Sequence, residues 1–182
     1  MAFSAFSRRF FVALWPCQVV AATTRSSLAS LPSLLDRGRR RVGLPASVSS
    51  FVLPLAVSVF KLDRTISSPL KVIILAHLYG IPIGVGTPLM FMLLATLLSF
   101  GTPGLPSAGA VTTLPLYVAA GFPLEGILLF NAVNAIPDIV ETALNVTGDM
   151  SVATIVTRLV GLRLAPEATA AADAVTAPEP AA

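Results

Sequence analysis

Seven polar side chains recur along one otherwise apolar stretch of the sequence: Asn131, Asn134, Asp138, Glu141, Thr142, Asn145 and Asp149. A helix running from Leu124 to Met150 turns about 100° per residue and gathers all seven into an arc of about 100°. The remaining positions are mostly Leu, Ile, Val, Ala and Phe. A carboxylate inside a membrane costs about 2.5–3.5 kcal/mol on insertion scales. Two kinds of chemistry would hold such a face in place. One is a polar seam that hydrogen-bonds neighbouring helices. The other is one wall of a solute and ion site, which alone calls for three carboxylates. An aspartyl peptidase is not expected. Asp138 and Asp149 stand about 16 Å apart along a helix axis, whereas a proton-sharing dyad sits at about 3 Å. Asp63 would have to serve as the partner, and nothing else points to an enzyme.

The elements that must position these groups are membrane elements. Of 182 residues, 55% are hydrophobic and 12% charged, against about 25% charged in a soluble domain. A soluble monomer is excluded. One cysteine, Cys17, and one histidine, His77, leave no disulfide and little His-based chemistry. The net charge of +3 comes largely from Arg37, Arg39, Arg40 and Arg41, a cluster between apolar stretches. Such a cluster marks a cytoplasmic loop rather than nucleic-acid binding.

Residues 10–24, 42–60 and 72–124 carry no charge. A spanning helix needs about 20 residues, so the third run is too long for one crossing. It is interrupted at Gly101-Thr102-Pro103-Gly104-Leu105-Pro106-Ser107-Ala108-Gly109. Irregular backbone at membrane depth must pack in protein or line a wet cavity. Phe91–Phe100 and Ala110–Phe122 therefore read as the arms of a re-entrant hairpin. A second hairpin is expected around Arg25-Ser26-Ser27-Leu28-Ala29-Ser30-Leu31-Pro32. A secretory signal peptide competes for the same segment, but the Pro16-Cys17 break and a poor cleavage site disfavour it.

The expected fold is an all-α integral membrane protein: two re-entrant hairpins and two transmembrane helices, one of them interrupted. The expected divisions are 1–41 for the N-terminal segment and first hairpin, 42–81 for the interrupted helix and 82–122 for a helix and the second hairpin. They continue with 123–163 for the last helix and 164–182 for a disordered Ala/Pro tail. The basic residues place Arg8, Arg9, Arg37–Arg41, Arg158 and Arg163 on the cytoplasmic side of the cell (inner) membrane in a multi-pass arrangement.

Four blocks, in order, resemble the dicarboxylate/amino acid:cation symporters, which include the glutamate transporters. Thr24-Arg25-Ser26-Ser27 through Leu31-Pro32 is similar to the tip of that family's first hairpin. Phe51-Val52-Leu53-Pro54-Leu55 resembles the opening of its seventh helix. Ser99 through Pro106 resembles its second tip. Asp138 through Asn145-Val146-Thr147-Gly148-Asp149 resembles its eighth helix. Asn145-Val146-Thr147 also fits a glycosylation sequon, out of reach at membrane depth.

The resemblance covers residues 10–163 and implies the C-terminal half of a secondary transporter, the transport-domain core. It implies substrate contacts from Arg25, Ser26, Ser27, Thr65, Leu105, Gly109, Asp138, Glu141, Thr142 and Asn145. Asp138 would meet a substrate amino group. It implies cation contacts from Asp63, Ser99, Thr102, Asn145 and Asp149, with Na+ or H+ as the coupling ion and no other cofactor. Its partners would be the lipid bilayer, a small organic solute, the missing N-terminal half in cis or in trans, and two further copies in a homotrimer. A non-transporting remnant, or half of a split transporter, is the alternative.

Two departures qualify the resemblance. Acidic-substrate members carry arginine where Glu141 stands, so a neutral or cationic solute is expected here. The family's Asn-Met-Asp-Gly-Thr reads Lys61-Leu62-Asp63-Arg64-Thr65 in this chain. Lys61 then becomes a tethered cation where sodium would sit, or else a side chain that reaches for the interface.

Overall fold

The computed structural model describes residues 2–102 and 104–164. The tail expected at 164–182 lies outside the described residues from residue 165 on, as does Pro103 of the second tip. The described residues form helices and no strands: α1 (Ala2–Thr24), α2 (Leu31–Arg37), α3 (Ala46–Val59), α4 (Leu62–Tyr79), α5 (Gly86–Ser99), α6 (Ala108–Ala119), α7 (Leu124–Val133) and α8 (Pro137–Leu159). A π-helical turn, Gly38–Val42, carries the arginine cluster after α2.

Prolines sit at many helix starts. Pro45 and Pro123 precede α3 and α7, and Pro32 and Pro137 stand in the first positions of α2 and α8. There the missing N–H has no partner to lose, and the fixed φ suits the helix. Pro16, Pro54, Pro69 and Pro115 lie inside α1, α3, α4 and α6. Helices packed at membrane depth tolerate this because neighbours satisfy the freed carbonyl. The prolines are therefore spread over the fold rather than gathered at two tips. Gly80 ends α4 at φ 62, with Ile81 N–H returning to Ala76 O at 2.8 Å. No atom lies near its missing Cβ, so the left-handed backbone is what requires glycine there.

The single helix expected from Leu124 to Met150 is instead two. α7 and α8 meet at an angle of 69° across Asn134–Ile136. Pro137 cannot donate to Val133 O, and its ring crowds that carbonyl, so the ladder stops there. The face predicted beyond the break holds: Thr142, Asn145 and Asp149 are buried, and Asp138 and Glu141 are half-buried. Asn131 and Asn134 reach the same region from α7 and the bend.

Two apolar cores form. One joins Ala13, Leu14, Cys17 and Ala21 of α1 to Leu34, Leu53, Val57, Val146, Met150 and Ala153. The α1 residues recur at helical spacing, so one face of α1 packs against α8 and α2. The second joins Val72, Leu75 and Ala76 of α4 to Phe91, Tyr117, Phe122 and Ile127. Within it, the Phe91 and Tyr117 rings lie 4.8 Å apart.

Many large apolar side chains are exposed, Trp15, Phe51, Val85, Val111, Val140 and Leu159 among them, and extended apolar surface of this kind marks a membrane or protein contact. Ala46–Tyr79, with a mean hydropathy of 1.4, is long and apolar enough to cross a membrane. The bent α7–α8 pair is a second such stretch if taken as one span. α5 and α6, of 14 and 12 residues, fall short of the roughly 20 a crossing needs.

Candidate functional site

α4 follows α3 after a break at Phe60–Lys61, and one face of α4 lines a cavity of about 210 Å³. This is below the range of about 300–1,000 Å³ typical of drug-sized ligand pockets, so a small solute suits it. Arg64, Ser67, Ser68 and Lys71 line it from α4. Their spacing of i, i+3, i+4 and i+7 puts them on one helical face. Asp138 and Glu141 line it from α8, Phe130 and Asn131 from α7, and Thr113 and Tyr117 from α6. Arg25 and Ser107 complete it from the loops before α2 and α6. These two are the described non-glycine residues with positive φ, at 50° and 60°. Left-handed backbone is strained for such residues and often marks a functional site.

Three cationic and two acidic side chains share this lining: Arg25, Arg64, Lys71, Asp138 and Glu141. Arg25 Nη1 lies 3.7 Å from Asp138 Oδ2. Arg64 Nε lies 3.3 Å from Asp63 Oδ2, an ion pair without the angle of a directed hydrogen bond. The Arg64 guanidinium rests on the backbone of Gly109, where a Cβ would stand 1.4 Å from Nη2. Lys71 donates to Asn131 Oδ1, and its ammonium lies 4.6 Å from the Tyr117 ring centre and 5.2 Å from that of Phe130. Cation–π contacts of this kind hold a partly desolvated ammonium in place.

Behind the cavity, Asn145 and Asp63 bind each other twice. Asn145 Nδ2 donates to Asp63 Oδ1 at 2.8 Å, and Asp63 N–H donates to Asn145 Oδ1 at 3.1 Å. The second bond satisfies a free N–H in the first turn of α4. Thr142 donates to Asp138 O at 2.6 Å. Thr65 pairs with Thr96 at 3.1 Å.

The two tips meet. Ser26 Oγ donates to Gly104 O at 2.7 Å, and Leu28 N–H donates to the same oxygen at 3.2 Å. A Cβ on Gly104 would stand 2.6 Å from Ser27 Oγ, so the approach depends on glycine. Lys61 lies buried beside this junction and donates to Ser27 Oγ at 3.0 Å and to Val57 O at the end of α3. The carboxylates of Asp149 and Asp63 both act on its charge through space. Asp149 is fully buried, and neither of its carboxylate oxygens has a hydrogen-bond partner. An orphaned buried carboxylate is costly, and something must offset it.

Of the substrate contacts expected from the sequence, Arg25, Asp138 and Glu141 line the cavity. Ser26, Ser27 and Gly109 lie at the tips or under Arg64. Thr65, Thr142 and Asn145 bond to helices behind it, and Leu105 is exposed and not in the lining. Of the expected cation contacts, Asp63 and Asn145 pair together, and Asp149 stands near Lys61. Ser99 and Thr102 are buried and bond back to Ala95 O and Leu98 O. The sequence reading assigned no role to Arg64 or Lys71. Their spacing with Ser67 and Ser68 is the same periodic signal that revealed the α8 face.

Broken helices, two joined loops and a charged cavity beside them are features that binding sites of secondary transporters also use. Residues 2–159 match the sodium:dicarboxylate symporter family, and the chain belongs to that family. It is 33% identical over 144 residues to the proton/sodium-glutamate symport protein of Bacillus caldotenax, covering 79% of this chain and 34% of that one. It is 34% identical over 132 residues to the proton/glutamate-aspartate symporter of Escherichia coli (strain K12), covering 72% and 30%. It is 33% identical over 140 residues to excitatory amino acid transporter 2 of Homo sapiens, covering 77% and 24%. The chain thus spans about a quarter to a third of the length of these relatives. The family and two of these relatives are named as symporters and the third as a transporter, and none as an enzyme.

Proposed function

We propose that this chain forms the solute- and cation-binding portion of a cation-coupled symporter for a small organic solute in the cell (inner) membrane. The observation that carries this reading is the polar face of α4 opposed to Asp138 and Glu141 in one cavity, beside two tips joined at Gly104. In this reading α1–α2 and α5–α6 are re-entrant hairpins whose irregular tips face the site. Asp138 takes the solute amino group. Thr142 and Asn145 hold Asp138 and Asp63 in register behind it. Ser26, Ser27, Leu105 and Gly109 contribute from the tips, and Thr65 from α4.

Coupling requires a cation that binds with the solute. The names of the relatives specify protons and sodium. Asp149, Asp63, Asn145, Ser99 and Thr102 supply oxygen ligands in the proposed cation sites, helped by the open carbonyls at the end of α3. Lys61 fills one of these places with its own ammonium, bonded to Ser27 and Val57 O as a free cation would be.

The greater part of the relatives' length has no counterpart in these 182 residues. Full transport is therefore proposed for an assembly with such a scaffold, in cis or in trans, with a homotrimer as the family's expected form. A non-transporting remnant, or one half of a split transporter that needs a partner chain, is the second reading.

The test is uptake of labelled amino acids and dicarboxylates into proteoliposomes holding the full chain, under sodium or proton gradients, with binding measured in parallel. Gradient-driven accumulation that is lost in Asp138→Asn is the expected result. Binding without accumulation selects the second reading. Neither binding nor accumulation ends both.

A further inference from the structure

We propose that the exposed face of α1 binds an anionic phospholipid. Arg8 and Arg9 hold its phosphate, and its acyl chain lies along Phe11, Val12, Trp15 and Val19. The proposal rests on the membrane placement of the chain and makes no use of the solute cavity.

Charge selects the headgroup. The chain has twelve cationic side chains. Eight of them gather at one pole, the expected cytoplasmic one: two at the start of α1, four between Arg37 and Arg41, and two at Arg158 and Arg163. Packing brings these segments together. The Arg158 guanidinium lies 4.4 Å from the centre of the Phe6 ring, so the end of α8 meets the start of α1. Ser33 meets Cys17 at 3.2 Å, so α2 runs back along α1 and sets the π-helical turn against it. Leu164 and Phe10 pack against the same apolar cluster.

Among the described residues, Asp36 is the acid of this pole, shared by Arg37 at 3.9 Å and Arg40 at 2.8 Å. Arg8 and Arg9 are exposed and pair with no acid among the described residues. The sequence beyond residue 164 holds three more acids, Glu167, Asp173 and Glu179. Eight cations against all four acids still leave a surplus of four positive charges. A basic cluster of this size beside a membrane attracts anionic lipid. All eight are arginines, and the two lysines, Lys61 and Lys71, lie elsewhere. Lysine serves equally well as a bare positive charge, whereas a guanidinium fork matches phosphate oxygens in paired bonds.

Geometry selects a lipid over a free phosphate. At about 100° per residue, Arg8, Phe11, Val12, Trp15 and Val19 share one face of α1. The opposite face is the buried one, with Ala13, Leu14, Cys17 and Ala21. Phe11, Val12 and Trp15 are more than half exposed, at 62%, 61% and 67%. From Arg8 to Val19 the stripe runs about 16 Å, close to one leaflet of a hydrocarbon core about 30 Å thick. Arg8 thus stands at headgroup level and the apolar side chains at acyl depth. A soluble phosphate would leave the stripe uncovered.

Trp15 is the single tryptophan of the chain, so its fluorescence reports on this face alone. The full chain is reconstituted in vesicles of equal parts phosphatidylcholine and phosphatidylglycerol, with brominated acyl chains on one lipid or the other. Brominated phosphatidylglycerol should quench Trp15 more strongly. The relative affinity should be about fivefold to thirtyfold, the worth of one or two arginines at an anionic surface. Arg8→Gln combined with Arg9→Gln should bring the two quenching curves together with helix content unchanged, since both side chains are exposed. Arg8→Lys combined with Arg9→Lys, which keeps the charge without the fork, should retain part of the preference. Millimolar glycerol 3-phosphate should not displace the lipid. If the double glutamine variant does not insert, Arg8→Gln alone carries the comparison.

Equal quenching by the two labelled lipids in the parent chain overturns the proposal. So does a preference that survives the glutamine substitutions, because the charge of the pole at large would then suffice. Weak quenching by both lipids would mean that protein covers Trp15, and displacement by glycerol 3-phosphate would make this a site for free phosphate. Either result overturns the proposal as well. None of these outcomes bears on the solute cavity, whose reading stands or falls on its own test.

Discussion

Replacing Lys61 with asparagine is expected to make the stability of the chain more dependent on sodium than that of the parent. In the parent structure Asp149 is sealed from solvent with no hydrogen bond to either oxygen, and Lys61 is the cation that acts on it. Lys61 acts on Asp149 through space and not in a direct ion pair, so its removal should cost less than the roughly 3–5 kcal/mol of a broken contact pair. Lys61→Asn should therefore unfold earlier in potassium chloride, by less than that amount. The vacated space would offer Asp149, Ser27 Oγ and Val57 O to a small cation, with the new asparagine oxygen added. Sodium at about 100 times its Kd would then return about 2.7 kcal/mol. Thermal unfolding in matched sodium and potassium buffers checks this. The paired variant Lys61→Met with Asp149→Leu should be close to neutral and indifferent to sodium, since neither charge remains. Equal sodium responses in the parent and in Lys61→Asn would sink the idea that Lys61 stands in for the ion.

The second large effect is expected at Phe91. This ring is fully buried between Tyr117 and Phe122, at centroid distances of 4.8 and 6.1 Å, and joins α5 to α6 and α4. Phe→Ala in a packed core costs about 3–5 kcal/mol. In a membrane protein the loss is of packing rather than of transfer from water, so the lower end applies. Denaturant titration in micelles should show a loss of about 3 kcal/mol. Phe11, 62% exposed, is the control, and its alanine variant should stay within about 0.5 kcal/mol. Matching losses at the two positions would mean that the Phe91 stack contributes nothing of its own.

The α8 face was legible because it obeys a period. Asp138, Glu141, Thr142, Asn145 and Asp149 recur as a helix requires, and all are buried or half-buried. The break before that face was not legible, although Pro137 marks it. Pro54 and Pro69 have the same chemistry and sit inside helices that continue. A proline therefore signals a bend only when its neighbours leave the freed carbonyl room to turn away, and that depends on tertiary packing. Arg64 and Lys71 carried a periodic signal as clear as that of Asp138 and Glu141. Read singly, however, a basic residue beside an apolar run looks like a helix flank. Only the cavity shows that Arg64 turns inward, onto Gly109, a residue 45 positions away in the chain. The orphaned state of Asp149 likewise depends on which atoms surround it, and no spacing rule reports that.

The division of the apolar interior into two clusters has an energetic corollary. Met150 belongs to the cluster of α1, α2, α3 and α8, and Phe91 to that of α4 to α7. Substitutions that share no partners sum to within about 0.3–0.5 kcal/mol, whereas those within one packed group do not. Losses at Met150 and Phe91 should therefore add, while losses at Phe91 and Tyr117 should fall short of their sum or exceed it. The cohesion of this chain is thus better described by two quantities than by one, and the charged cavity is where a ligand could make them a single quantity.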